Sequence, residues 1–234
     1  MDNEEQFYWL GFMYADGCIS STGNRIEVHL ALSDISHLEK FRKFLNHTTE
    51  IRTGTDKRGL SFCHLSVRNK HMWNTLNKLG CSPRKTLTLE FPNISIFKNN
   101  SNFVISFIRG YVDGDGCLTI YKSTNCNSLR TILKMKGQLK FLEKVNSAFK
   151  NKGYIRKCRE GNVYDLEFSD KVSRSIARLL YSKATIYLDR KYNKYLEFCR
   201  LEEESSKRLS IKIGEGCDAN PEVISEITKG LEIP

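Results

Sequence analysis
The stretch FYWLGFMYADGCIS (residues 7–20) decides the fold, because the chain says it twice. From Phe107 it reads FIRGYVDGDGCLT, and the copies align without a gap: Gly11 with Gly110, Ala15 with Gly114, Asp16 with Asp115, Gly17 with Gly116, Cys18 with Cys117. The two aspartates lie 99 residues apart (115 − 16), about the size of a small domain. Two similar halves are therefore expected, each opening with the same element. Residues 4–15 have helical apolar spacing (Phe7, Leu10, Gly11, Tyr14), and Asp-Gly is a natural stop, its glycine expected in the left-handed conformation just past the helix end. Gly11 and Ala15 fall one turn apart on one face, as do Gly110 and Gly114. Small residues at that spacing let two helix backbones approach closely.

Packing through those faces would bring Asp16 and Asp115 side by side at one end of the helix pair. A carboxylate at a helix C-terminus sits at the wrong end of the macrodipole, and a second one adds repulsion. A divalent cation between them would cancel both penalties, and oxygen-only ligands point to Mg²⁺ more than to zinc, with Mn²⁺ able to substitute. The plainer alternative, an Asp-Gly turn and nothing more, suits a single copy. The duplicated context outweighs it.

WLGFMYADG (9–17) and IRGYVDGDG (108–116) resemble the two signature motifs of a single-chain LAGLIDADG homing endonuclease. The departures are Leu10 and Arg109, where the motif prefers alanine, and Tyr14, where the first copy lacks the earlier acid that the second keeps as Asp113. The flanking repeats extend the resemblance over roughly residues 5–200. It implies an α+β fold duplicated about a pseudo-two-fold axis, with the motif helices at the interface and two antiparallel, saddle-shaped sheets lying in a DNA major groove. It further implies a monomer that hydrolyses both strands of a long, asymmetric target. Divalent ions held by Asp16, Asp115 and the carbonyls of Ala15 and Gly114 would stabilise the attacking water and the leaving oxygen.

Composition agrees. Lys plus Arg outnumber Asp plus Glu by 37 to 27, a formal charge of +10 that favours a polyanionic partner through counterion release. No secretory signal opens the 234 residues and no apolar run approaches a membrane span, so a soluble intracellular protein is expected. The eight cysteines form no C-x-x-C pair and read as reduced, mostly buried small residues. None of the five histidines shows zinc spacing with cysteine.

After the first motif, RIEVHLAL (25–32) alternates as a half-buried strand, and a helix follows with Ser33 or Asp34 as N-cap and Leu38, Phe41 and Leu45 on its apolar stripe. Residues 50–68 read as a hairpin around GTDKRG, and NKHMWNTLNKLG (69–80) as a helix closed by Gly80. The second half repeats this order: FLEKVNSAF echoes HLEKFRKFL, DKVSRSIARLLY echoes NKHMWNTLNKLG, and Arg190-Lys191 echoes Arg84-Lys85. The chain divides into residues 1–97, 98–201 and a charged tail, 202–234, in which PEVISEITKGLE suits a short helix.

On the strands the polar face carries Arg25, Glu27, His29, His64 and Arg68 in the first half, and Lys122, Arg130, Lys134 and Arg156 in the second. Such side chains can pair with base edges, while Lys57 and Arg58 at the hairpin tip suit phosphates. Lys191 and Lys85 are candidates for stabilising charge at the scissile phosphate, and Lys136 and Gln138, at a strand-to-helix junction, for ordering solvent. Two rival readings share the fold: an RNA-splicing maturase that binds an intron, and a DNA-binding regulator that has lost catalysis.

Overall fold
Each motif copy folds as a buried helix that runs directly into a strand. In the structure, a computed structural model describing residues 1–85, 88–122, 129–159 and 161–213, the first copy is α1 (Glu4–Ala15) followed by β1 (Gly17–Ile19). The rest of the first half is β2 (Arg25–Ala31), α2 (Ile35–Phe44), β3 (Arg52–Thr55), β4 (Ser61–Arg68) and α3 (Lys70–Lys78). The second half supplies α4 (Ser101–Asp115), β5 (Gly116–Lys122), β6 (Leu129–Gly137), α5 (Leu139–Ala148), β7 (Tyr154–Lys157), β8 (Tyr164–Ser169), α6 (Asp170–Tyr181) and α7 (Asp189–Ile213). α7 runs past residue 202. The short helix expected over PEVISEITKGLE lies outside the described residues.

The two sheets are antiparallel and have one topology, β1-β2-β4-β3 and β5-β6-β8-β7. Their registers superpose the halves residue by residue. Gly17 pairs with Val28 and Gly116 with Met135; Val28 pairs with Leu65 and Met135 with Leu166. Along β2 and β4 the pattern alternates strictly, with Ile26, Val28, Leu30, Cys63, Leu65 and Val67 buried under the helices. The other face of each sheet is open.

The helix pair α1/α4 joins the halves. A Cβ added at Gly11 would lie 1.9 Å from the Phe107 carbonyl oxygen, and one at Gly110 would lie 2.0 Å from that of Tyr8. Backbone touches backbone, as the small-residue spacing predicts. α1 is not merely amphipathic: every residue from Phe7 to Tyr14 is buried, because the helix has a half of the molecule on either side. Around it Phe7, Phe97, Phe107, Tyr111 and Phe141 form the aromatic centre of the core.

Three local expectations are corrected. Gly17 and Gly116 are not left-handed caps; Gly116 has φ −96° and ψ 169°, and each glycine begins a strand. Glycine is needed there for proximity, since a Cβ would meet Met13 Cε at 2.3 Å or the Val112 carbonyl oxygen at 2.6 Å. Asp34 occupies the N-cap position of α2 but makes no capping bond; buried, its Oδ2 accepts from Arg190 Nε at 2.8 Å, a charge-assisted bond across the halves. The described cysteines are also less buried than expected: Cys63 and Cys81 are buried, Cys158 and Cys199 half-buried, and Cys18 and Cys117 exposed on the open sheet faces.

Candidate active site and nucleic-acid interface
Because α1 and α4 cross with their backbones in contact, both motif aspartates end at one place. Asp16 caps the C-terminus of α1, and Asp115 is the last residue of α4. The Asp16 carboxylate lies against the opposite motif: a Cβ at Gly114 would be 3.3 Å from Asp16 Oδ2 and 2.2 Å from Ala15 Cβ. Asp16 is half-buried and Asp115 faces solvent. Burial, then the Asp115 charge, raises the Asp16 pKa to about 6, and desolvation also raises that of Asp115. Protein groups therefore leave the paired carboxylates under-compensated.

The two candidate lysines converge on the same helix ends. Lys85 Nζ donates to the carbonyls of Ala15 (3.3 Å) and Gly17 (2.5 Å). Lys191 Nζ donates to those of Val112 (2.6 Å), Gly114 (3.1 Å) and Gly116 (2.6 Å). Ala15 matches Gly114 and Gly17 matches Gly116, so one constellation is built twice. An ammonium here satisfies orphan carbonyls and faces the negative end of the dipole, which partly offsets a carboxylate at that end. Lys191 is buried, which lowers its pKa to about 8, and its three N–H groups are all engaged. Direct contact between Lys191 and a phosphate would break one of those bonds, so its placement fits the helix end better than the phosphate.

Beside the carboxylates a cavity of about 200 Å³ is lined by Ala15, Lys85, Asp115, Lys136, Gly137 and Gln138, among others. The strand-to-helix junction of the second half thus lines the same cavity as Asp115. Among the described residues no group of three or more His, Cys, Asp or Glu could hold a metal ion. A cation here would rest on the two carboxylates and on backbone carbonyls. Each carbonyl has a second lone pair beyond the one its lysine uses, and the raised carboxylate pKa values reflect a charge penalty that a cation relieves, so the donor set fits a hard divalent ion.

The open sheet faces carry the remaining candidates. On the first sheet Arg25 pairs with Glu27 (3.5 Å), the His29 and His64 rings stack at 3.8 Å, and Arg68 is exposed opposite Arg25. At the hairpin tip Lys57 is exposed and Arg58 reaches back to Asp56 (3.0 Å). On the second sheet Lys134 lies 3.7 Å from Asp165 and 3.5 Å from Glu167, Arg156 lies 3.6 Å from Asp165, and Arg130 pairs with Asp170 at 2.5 Å. Lys122 closes β5 opposite Leu129; its side chain lies outside the described residues.

The sequence did not single out Arg52, which the register sets opposite His64 on the open face as Arg156 is set opposite Asp165. Nor did it single out the buried cluster behind the site. Asp113 accepts from Tyr181 Oη (2.6 Å), Tyr8 Oη (2.7 Å) and Leu188 N (2.8 Å), and Tyr8 Oη lies 3.1 Å from His37 Nε2. Arg109, the motif departure, donates to the carbonyls of Leu180 and Ile186 at 3.0 Å and lies over the Tyr8 ring. The one available signal was that Arg109 and Asp113 are charged residues inside the second motif helix, which the resemblance places at the interface of the halves.

No protein-family model matches the chain, and no curated protein matches it. Solved structures do. The LAGLIDADG homing endonuclease I-SmaMI bound to cleaved DNA is 13% identical with a TM-score of 0.60, over 99% of this chain and 96% of that one. I-GzeII in complex with its DNA target is 13% identical with a TM-score of 0.58, over 98% and 97%. I-LtrWI bound to target DNA is 13% identical with a TM-score of 0.59, again over 98% and 97%. The likeness spans both halves in one chain and establishes the fold. Among the described residues no helix is long and apolar enough to cross a membrane.

Proposed function
We propose that this chain, which has the fold of the single-chain LAGLIDADG homing endonucleases, is a site-specific double-strand DNA endonuclease. The observation that carries the reading is the constellation at the end of the α1/α4 pair: Asp16 against Gly114 of the opposite motif, the Asp115 charge close enough to act on it, and a lysine on the flanking carbonyls of each motif. The solved structures it resembles hold cleaved DNA or target DNA. The excess of basic residues and the two open, polar sheet faces suit a long duplex.

In this reading Asp16 and Asp115, with the Ala15 and Gly114 carbonyls, hold Mg²⁺, for which Mn²⁺ can substitute. When bound, the ion supplies Lewis-acid stabilisation of charge at the phosphate. The chain's own part is positioning. The glycine contact brings the two helix ends together, and Lys85 and Lys191 hold the helix-end carbonyls in place. Lys136 and Gln138 line the space beside Asp115 where solvent would be ordered. Arg25, Glu27, His29, Arg52, His64 and Arg68 would read one half-site, and Lys122, Arg130, Lys134 and Arg156 the other, as a single chain. Lys57 and Arg58 would hold phosphates.

The test is cleavage of a plasmid carrying the uninterrupted insertion site of the encoding gene, with Mg²⁺ or EDTA, by the wild type, Asp16→Asn and Asp115→Asn. Mg²⁺-dependent double-strand cutting that either substitution abolishes is the expected result. Binding of that DNA without any cutting by the folded wild type would overturn the reading.

A further inference from the structure
Positions 14 and 113 are the same place in the two motif copies, separated like the two motif aspartates by 99 residues (113 − 14), yet one is tyrosine and the other aspartate. Both side chains leave the helix pair and reach the chain segment that carries the lysine of their own half. In the first half the Tyr14 hydroxyl donates to the Leu79 carbonyl, and Cys81 Sγ lies 3.4 Å from the Met13 carbonyl oxygen. Gly80 between them has φ +96° and no side chain, and a Cβ there would sit 2.7 Å from Tyr14 Oη. Four residues beyond Cys81 comes Lys85, on the carbonyls of Ala15 and Gly17.

In the second half the fully buried Asp113 holds the corresponding segment from two points, Tyr181 Oη and Leu188 N. Three residues beyond Leu188 comes Lys191, whose own amide donates to the Leu188 carbonyl at 3.0 Å. Tyr181 is the counterpart of Gly80, because the offset that superposes β8 on β4 (166 − 65 = 101) carries residue 80 onto residue 181. The halves have exchanged partners. One places the phenol on the motif and a glycine at the helix end; the other places the phenol at the helix end and a carboxylate on the motif.

We propose that Tyr14 and Asp113 are positioning residues, each registering the lysine of its own half on the motif carbonyls, so that Lys85 and Lys191 are set independently by different chemistry. Neither residue faces the open sheet surface, and each acts through the backbone segment it anchors. The effect on cleavage rests on the endonuclease reading; the positioning is a property of the folded chain alone. On the endonuclease reading each lysine steadies the helix end beside one motif aspartate, so loosening one lysine should slow one strand.

The experiment pairs two readouts on Tyr14→Phe, Asp113→Asn and Tyr181→Phe in the full chain. The first is the rate of acetylation of each lysine in the folded, metal-free protein, followed by peptide mass spectrometry. Tyr14→Phe should speed labelling of Lys85 and leave Lys191 unchanged, while Asp113→Asn and Tyr181→Phe should do the reverse, by about three- to tenfold for one lost hydrogen bond. The second is strand-resolved cleavage: Tyr14→Phe and Asp113→Asn should accumulate nicked plasmid with opposite strands intact. Adding Tyr14→Phe to Lys85→Met should change nothing further, whereas adding it to Lys191→Met should. If each variant loosens both lysines or neither, the residues only fill space and the proposal is overturned. Should the wild type cut no DNA, the endonuclease reading falls while the labelling still decides the positioning. Should Asp113→Asn fail to fold, Tyr181→Phe carries the second-half test.

Discussion
Replacing Gly110 by alanine is the severest test of the helix pair, because propensity and packing predict opposite signs. The new Cβ would lie 2.0 Å from the Tyr8 carbonyl oxygen and 2.8 Å from Phe12 N. Carbon and oxygen sit comfortably at about 3.3 Å, so the helices must part by roughly 1 Å along that line, and no rotamer change can absorb the shift. A gap of about 0.5–1 Å forfeits a quarter to a half of each dispersion contact, here along the whole α1/α4 seam. Overpacking costs about 1–3 kcal/mol and more where backbone is the obstacle, so about 3–4 kcal/mol is expected, less about 1 kcal/mol regained from helix propensity. The net of about 2–3 kcal/mol should lower Tm by about 5–10 °C for a chain of this size. Thermal unfolding followed by circular dichroism measures it. Gly59→Ala is the control: Gly59 has φ +82° and nothing within 4 Å, so only the left-handed backbone penalty of about 1–2 kcal/mol operates. A Tm for Gly110→Ala equal to or above wild type would refute the backbone-contact argument.

Metal-free Asp16→Asn should be more stable than wild type at pH 7.5. The folded Asp16 pKa of about 6 exceeds the ordinary 3.8, so the native state holds the proton longer and loses stability as pH rises from about 4 to about 6. Removing the charge should recover at most about 3 kcal/mol above that window and nothing at pH 4; an unchanged Tm at pH 7.5 would contradict it. Mg²⁺ should raise the wild-type Tm, with about 2.7 kcal/mol at a hundred times Kd, and should leave Asp16→Asn nearly unmoved; equal shifts in calorimetry would place the ion elsewhere. Lys57→Ala with Arg58→Ala should weaken binding to all duplexes alike and flatten the salt dependence by about 0.9 for each phosphate no longer neutralised. A change in sequence preference without a change in slope, measured by fluorescence anisotropy, would make the tip a base reader instead.

What could be read from the sequence was whatever the duplication repeats. Small residues at matched positions imply the helix contact before any coordinates, and Lys85 and Lys191 stand out only because each follows an arginine after corresponding helices. What could not be read depends on partners far along the chain. Asp113 meets Tyr8, Leu188 and Tyr181 at separations of 105, 75 and 68 residues, and Asp34 leaves its cap for Arg190, 156 residues away. Local propensity carries no trace of such pairings. Gly17 and Gly116 misled for the opposite reason: Asp-Gly is so strong a turn signal that it hid a steric demand, visible only once the strand turns back over Met13 or Val112.

The strand registers also separate what the duplication kept from what it changed. Matched through those pairings, His29 corresponds to Lys136, His64 to Asp165, Glu27 to Lys134 and Ser66 to Glu167, while Arg52 and Arg156 stay arginine. The first sheet therefore presents stacked imidazoles with Glu27 beside them, and the second presents Lys134 and Arg156 around Asp165. If the sheets read base edges as proposed, donor and acceptor patterns so different favour different base sequences. At the helix ends the opposite holds: Asp16 and Asp115 are alike, and each has a lysine on the flanking carbonyls. On the endonuclease reading both centres meet a phosphate, which is the same at every step of a duplex, and their likeness follows from that. On the same reading the sheets meet base edges, which differ along an asymmetric target, and their divergence follows from that. Such a chain needs a joint that lets each half differ alone, and the α1/α4 seam, with backbone against backbone at Gly11 and Gly110, leaves no side chain at those points through which one half could adjust to the other.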